Sequence, residues 1–263
     1  MSEAWTRRQW LGLSGSALLA GLLPGTAAAI GAAAPTAKDT AGSGAGASDA
    51  AALYRRALVL DANTLASIGQ LAGDGDSADR IRQLRDSGVT ALKTTLGGAD
   101  GDFEEAVKDI AAAQALVETY PQHFLKVLQH EDLQRAKREG RIALIFSFES
   151  AAMLEDKPER IDLFRQLGVR VMQLSYNRAS PFGTGCLDGE AGGVTALGRE
   201  AIVRMNRLGV ALDLSHANAQ TTRDGIALSQ RPPVFTHAGC SAVFAHPRNK
   251  LTATCARWPT RAG

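Results

Sequence analysis

Cysteine is scarce in this chain: Cys186, Cys240 and Cys255 are an odd number at wide spacing. That excludes a disulfide framework and a zinc ribbon, and leaves the three as packing or incidental residues. Charge of one sign is equally scarce. Lysine and arginine total 29 against 27 acidic residues, a formal net charge of +2, so no nucleic-acid footprint and no acidic tail emerge from composition. The expected partner is a small molecule and not nucleic acid. The apolar stretch from Leu11 to Leu23 is too short and too rich in Gly, Ser and Ala to read as a membrane span. Nowhere does a strand candidate run into G-x-G-x-x-G or a phosphate-binding loop, which weakens a dinucleotide reading. What remains is 263 residues of globular composition, enough to bury roughly three quarters of the unfolded surface in one large domain or two small ones.

The N-terminal segment "TRRQWLGLSGSALLAGLLPGTAAA" has Arg7 and Arg8 ahead of that apolar stretch and small residues around Ala27 to Ala29. Residues 1–29 are expected to be an export signal. The arginine pair followed by Trp10 and Leu11 suggests the twin-arginine type, which delivers a folded protein to the periplasm or exterior; an ordinary secretory signal is the alternative. Residues 30–50 are small, polar and without periodicity, as expected of a flexible linker.

Beyond the linker, short apolar runs alternate with amphipathic stretches. The runs are 57–63, 89–98, 141–150, 169–176, 210–216 and 232–239; the helix-like stretches include "SADRIRQLRDSG", "DFEEAVKDIAAAQALVETY", "RIDLFRQLG", "ALGREAIVRMNRLG" and "AQTTRDGIALSQ". Continuous apolar runs separated by helices are the pattern of buried parallel strands. An open doubly wound sheet and a (β/α)8 TIM-like barrel both satisfy it. The strands end in chemically capable side chains: Asp61 and Asn63, Lys93, Glu149, Tyr176, His216 and His237. Convergence of such residues at the carboxyl ends of several strands favours the α/β barrel, of which about six β/α units, residues 51–250, are present.

Two of those residues, His216 and His237, end consecutive strand candidates, and Glu149 holds the same place earlier. Two histidines and a carboxylate make a zinc-like ligand set with an open position for a water whose pKa the metal lowers. Each residue also has a plainer explanation. A strand-end histidine can be a hydrogen-bonded core residue, and Glu149 can cap the helix after it. The carboxylate in "FSFES" nevertheless sits in an apolar strand end, where it is costly unless paired or bound to a cation.

The segment from "LGVRVMQLSYNRASPFGTG" through "LGREAIVRMNRLGVALDLSH" and "RPPVFTHAGCSAV" to "HPRN" resembles the membrane dipeptidase (renal dipeptidase, peptidase M19) family of zinc hydrolases. The resemblance implies a barrel enzyme that cleaves dipeptides with metal-activated water. It implies that Glu149 bridges two zinc ions, that His216 and His237 complete the second zinc site, and that Arg248 of "HPRNK" binds the substrate carboxylate, a pairing suited to a guanidinium fork. The family's first-strand H-x-D falls on "LDANTLAS", where Asn63 and Leu65 stand in place of the ligands. The expectation is therefore one zinc at most. Tyr176 stands near the place of a carbonyl-polarising histidine; it is either an oxyanion donor or a structural tyrosine. The tail "LTATCARWPTRAG", residues 251–263, has no strand pattern and no acid. It leads to the expectation of a truncated frame without the late-strand aspartate, whose open sheet edges a homodimer could cover. An inactive fragment or pseudoenzyme keeping part of the metal site is the alternative. A barrel hydrolase of the amidohydrolase kind would want an early H-x-H, which the first strand lacks.

Overall fold

A computed structural model of the chain describes residues 44–64, 77–99, 101–189 and 192–251. The export signal, most of the linker, Leu65 and the tail beyond Leu251 lie outside the described residues. Among the described residues no helix is long and apolar enough to cross a membrane.

The chain runs α1 (Gly44–Arg56), β1 (Leu60–Thr64), α2 (Ser77–Asp86), β2 (Ala91–Thr95), α3 (Phe103–Thr119), β3 (Phe124–Lys126), α4 (Glu131–Glu139), β4 (Ile142–Phe148), a 3-10 turn (Ala152–Leu154), α5 (Arg160–Leu167), β5 (Val169–Gln173), α6 (Ala196–Leu208), β6 (Ala211–Asp213) and α7 (Ala219–Leu228). Every strand pairing is parallel, in the order β1-β2-β4-β5-β6 with β3 beside β4. This is the expected β/α wall.

β4 organises that wall. Its residues 142–148 are buried except for the half-buried Ile145, the continuous apolar character of a strand covered on both faces. β2 pairs along one edge, Ala91 with Ala143 through Thr95 with Ser147. The other edge is shared in sequence: β3 takes Ile142 to Leu144, and β5 takes over at Phe146. Glu149, the fourth strand's exit in chain order, is thus third along the main path of the wall.

Helix boundaries follow local chemistry. Asp102 caps α3 by accepting from Glu105 N at 2.8 Å, Thr195 caps α6 through Gly198 N at 3.1 Å, and Asn218 caps α7 through Thr221 N at 2.7 Å. Gly209, at φ 69°, ends α6 in the left-handed conformation and turns the chain straight into β6. Between helices and sheet, Phe148 packs edge-on to Phe164 with centroids 4.8 Å apart, and Phe103 lies 5.6 Å from Phe164. That packing fixes the strand end from which Glu149 emerges.

Three expectations need correction. The linker stops earlier than expected, because Gly44 already begins α1, in an alanine-rich stretch of high helix propensity. A strand and a helix between 120 and 140, β3 and α4, went unread. Residues 232–239 form no strand: Val234 alone bridges to β6, with Val234 N donating to Leu212 O at 2.8 Å and Leu214 N to Val234 O at 2.9 Å. Pro232 and Pro233 have no N–H to offer a ladder. The next amides are held by a side chain instead, Thr236 N and His237 N both donating to Ser215 Oγ, at 2.9 and 3.1 Å.

Candidate metal centre

Glu149, His216 and His237 come together at the carboxyl ends of the strands, each offering one ligand atom, all within 4.8 Å of one another. The Nε2 atoms of the two histidines are 2.9 Å apart. Glu149 Oε2 is 3.6 Å from the first and 3.7 Å from the second. For a tetrahedral zinc with bonds of about 2.0–2.2 Å, ligand atoms stand roughly 3.3–3.6 Å apart. The observed triangle differs from that by a few tenths of an ångström.

The hydrogen bonds around the histidines decide which nitrogen carries the proton. Thr236 Oγ1 donates its single proton to Asp213 Oδ2 at 2.6 Å, and Ser215 Oγ donates to Asp213 Oδ1 at 2.6 Å. With both hydroxyl protons committed, the 2.7 Å contact between Thr236 Oγ1 and His237 Nδ1 must run from the imidazole N–H to the hydroxyl. His237 Nε2 then presents a lone pair. His216 Nδ1 lies 2.9 Å from Asn177 Oδ1, an acceptor, so its Nε2 presents a lone pair as well. Two lone pairs at 2.9 Å with a carboxylate oxygen beside both repel one another; Arg248 Nη2, 3.1 Å from His216 Nε2, answers one of them, and a cation among the three ligand atoms would answer all. Orienting partners of this kind are the usual second layer of a metal site.

Protonation agrees with that state. Burial pushes His237 down to about 4, outweighing the neighbouring Glu149 and Asp213. Burial also lowers His216, and the Arg248 charge reinforces it. Both are neutral near pH 7, as ligands must be. Burial alone would raise Glu149, but the Thr95 hydroxyl and the Lys93 ammonium, both still present when the histidines are neutral, hold the carboxyl below the usual carboxylate range.

The surroundings are built from the strands and from the loops that follow them. Buried Asp213, on β6, also accepts from Gln173 Nε2 at 3.0 Å and Ser215 N at 3.0 Å. The loop after β5 is laced to the loop after β6 by the Gly185–Ala217 bridge and by Cys186 N donating to His216 O at 2.9 Å. A side chain at Gly185 would collide with the Tyr176 carbonyl and the Asn177 backbone. Only glycine allows the approach that sets Asn177 against His216. Tyr176 stacks on the His216 ring with centroids 4.0 Å apart. Arg248 reaches the same place: its Nη2 is 3.1 Å from His216 Nε2 and donates to His237 O at 3.1 Å, while Nη1 donates to Ser215 O.

All five residues singled out from the sequence therefore meet here. Of the other strand-end residues, Lys93 and Asn63 join them, whereas Asp61 turns away, accepting from Asn63 N and Thr64 Oγ1 within its own turn. Sequence reasoning missed Thr95, Asn177, Asp213 and Thr236. Asp213 carried a signal, an acid inside the apolar run "VALDLSH"; Thr95 shares the face of Lys93 by the two-residue period of a strand.

A sequence model of the family described as "Membrane dipeptidase (Peptidase family M19)" matches residues 70–252. The chain belongs to the membrane dipeptidase family. Among curated members it is 28% identical over 163 residues to dipeptidase verJ of Clonostachys rogersoniana, a match covering 57% of this chain and 40% of that protein. The chain thus spans well under half the length of that relative. Among solved structures it is similar to an amidohydrolase from Pseudomonas aeruginosa, with TM-score 0.68 and 29% identity over 76% of this chain and 59% of the other. It shares its fold with a metallopeptidase from Rhodobacter sphaeroides solved with a phosphinate mimic of the dipeptide L-Ala-D-Ala, with TM-score 0.64 and 21% identity over 76% and 70% of the two chains. In this member the triad Glu149, His216, His237 is a possible metal site.

Proposed function

We propose that this member of the membrane dipeptidase family is a zinc-dependent hydrolase of small peptides, with Glu149, His216 and His237 as the ligands. The observation that carries the reading is the approach of one carboxylate oxygen and two imidazole nitrogens, all within 4.8 Å of one another, with Nδ1 of each ring turned to a fixed partner. When bound, zinc supplies an activated water and a Lewis acid for the peptide carbonyl. The protein's own groups do the rest. Thr236 and Asn177 hold the histidines in the ligating tautomer. Arg248 stands at the edge of the centre, where its guanidinium can exchange its contact with His216 for a substrate carboxylate. Tyr176, stacked on His216, offers a phenol to the developing oxyanion. The Arg7, Arg8 signal would carry such a chain out already folded and loaded.

A second reading, a metal-binding chain without hydrolysis, is supported by Asn63 at a ligand position. The full chain and His216→Ala are compared for zinc content and for amino acids released from simple dipeptides. Zinc near one per chain with hydrolysis lost in the variant supports the enzyme; zinc without hydrolysis supports the second reading; no zinc at all sinks both.

A further inference from the structure

Lys93 is 2% exposed, on the central stretch of β2 opposite Ile145 of β4. A buried ammonium is costly unless something answers its charge. Here Nζ donates to Asn63 Oδ1 at 2.8 Å and lies 3.5 Å from Glu149 Oε1. Thr95 Oγ1 donates to that same Oε1 at 2.7 Å. The two oxygens of Glu149 are therefore divided: Oε1 belongs to Lys93 and Thr95, and Oε2 to the two histidines. Asn63, from β1, faces the amine through its carbonyl oxygen, the only atom of its side chain that can accept.

We propose that the Lys93 ammonium is a built-in cation of this centre, filling the space between Asn63 and Glu149 Oε1 and restricting the site to one metal ion on the Oε2 side. This rests on the metal-site reading above and adds what sets its stoichiometry. A second dication next to Oε1 would meet a fixed positive charge at the same oxygen, and it would find one neutral amide oxygen in place of an anionic or imidazole ligand. The ammonium also holds the carboxylate so that Oε2 faces the histidines. Lys93 is thus a positioning residue for Glu149.

Metal content decides the matter, measured by elemental analysis of the full chain after saturation with zinc and removal of free metal, and by the absorption of the cobalt(II)-loaded protein. The wild type is expected to hold 1 zinc per chain, as is Asn63→His with Lys93 retained. The double variant Asn63→His, Lys93→Ala is expected to rise to 2. Two zinc ions in the wild type or in Asn63→His overturn the proposal while leaving the zinc hydrolase reading intact. A folded double variant that stays at 1 also overturns it, because the ammonium is then not what excludes the second ion. If the double variant yields no soluble protein, the wild type and Asn63→His decide, one zinc in each supporting the proposal. No zinc in the wild type overturns the metal-site reading, and this inference falls with it.

Discussion

Thr236→Val removes one hydroxyl and almost no volume, yet that hydroxyl joins Asp213 to His237. Asp213 Oδ2 loses a 2.6 Å hydrogen bond but keeps the one from Gln173 Nε2, and Oδ1 keeps both donors of Ser215. The carboxylate is not orphaned, so the stability loss stays near the lower end for a charge-assisted hydrogen bond, about 1.5 kcal/mol. The larger effect falls on the metal. Without an acceptor at Nδ1, His237 is free to carry its proton on Nε2, the atom needed for ligation. Loss of such an orienting partner costs roughly 10- to 100-fold in metal affinity, about 1.4 to 2.7 kcal/mol. Competition of zinc against a chromophoric chelator measures this, with Thr94→Val as the control. Thr94 is buried in the same sheet and its hydroxyl donates only to Ile145 O at 3.2 Å. The control should lose a comparable amount of stability in thermal melts and none of the affinity. Equal zinc affinity in wild type and Thr236→Val, or an equal drop in both variants, would refute the tautomer argument.

Other outcomes follow from the same contacts. His237 sits at about 4 against an ordinary 6.5, so the unfolded chain binds the extra proton between those values. The stability this contributes is complete above about pH 6.5 and is lost as pH falls toward 4. Glu149, held at about 2, adds a contribution that is present above the unfolded carboxyl range and lost at still lower pH. Denaturant midpoints of metal-free protein should fall monotonically with acid, and a maximum near pH 5 would contradict this. Gly185→Ala forces Tyr176 and Asn177 away from the loop carrying His216; a cost of about 1–3 kcal/mol should come with weaker cobalt binding, and a variant weakened in neither respect would disprove the close approach. Phe164→Ala, at a site with no exposure, should cost about 3–5 kcal/mol in urea unfolding. Tyr176→Phe keeps the ring stacked on His216 and removes the phenol; kcat for dipeptides should fall by about tenfold or more with KM little changed, whereas an unchanged kcat makes Tyr176 a packing residue.

The wall and its chemistry were legible because both depend on periodicities that sequence displays. β2, β4, β5 and β6 fell inside the apolar runs, and five helices were found within a residue or two of their ends because caps such as Asp102 and Gly209 mark them. β3 was not legible because its three residues end on Lys126, whereas the equally short β6 lies within the longer run 210–216, and its partner on β4 is chosen by the edge that β5 leaves open. The segment at 232–239 looked like a strand by apolar content. What distinguishes it is the loss of two donors at the proline pair and the substitution of Ser215 Oγ for a neighbouring backbone. At the site, the candidate ligands showed themselves as polar endings to apolar runs. Thr95, Asn177 and Thr236 did not, because a threonine or asparagine in a strand or loop is ordinary until the atom it faces is known.

The three candidate ligands differ in how firmly the backbone holds them, which has a kinetic consequence. Glu149 leaves a strand bonded along both edges, and His216 follows a strand paired to β5 over three residues. His237 is tied to the sheet by one backbone rung at Val234 and otherwise by side chains, its amide donating to Ser215 Oγ and its carbonyl accepting from Arg248 Nη2. An arriving ion would meet Glu149 and His216 on well-paired elements and His237 on this more lightly held segment, so its dwell time would follow how often the Val234 rung and the Ser215 and Arg248 contacts open together. Bound metal should in turn slow hydrogen exchange at the Val234 and His237 amides far more than at those of β4, because an ion there would cross-link a segment that the sheet itself holds at one rung.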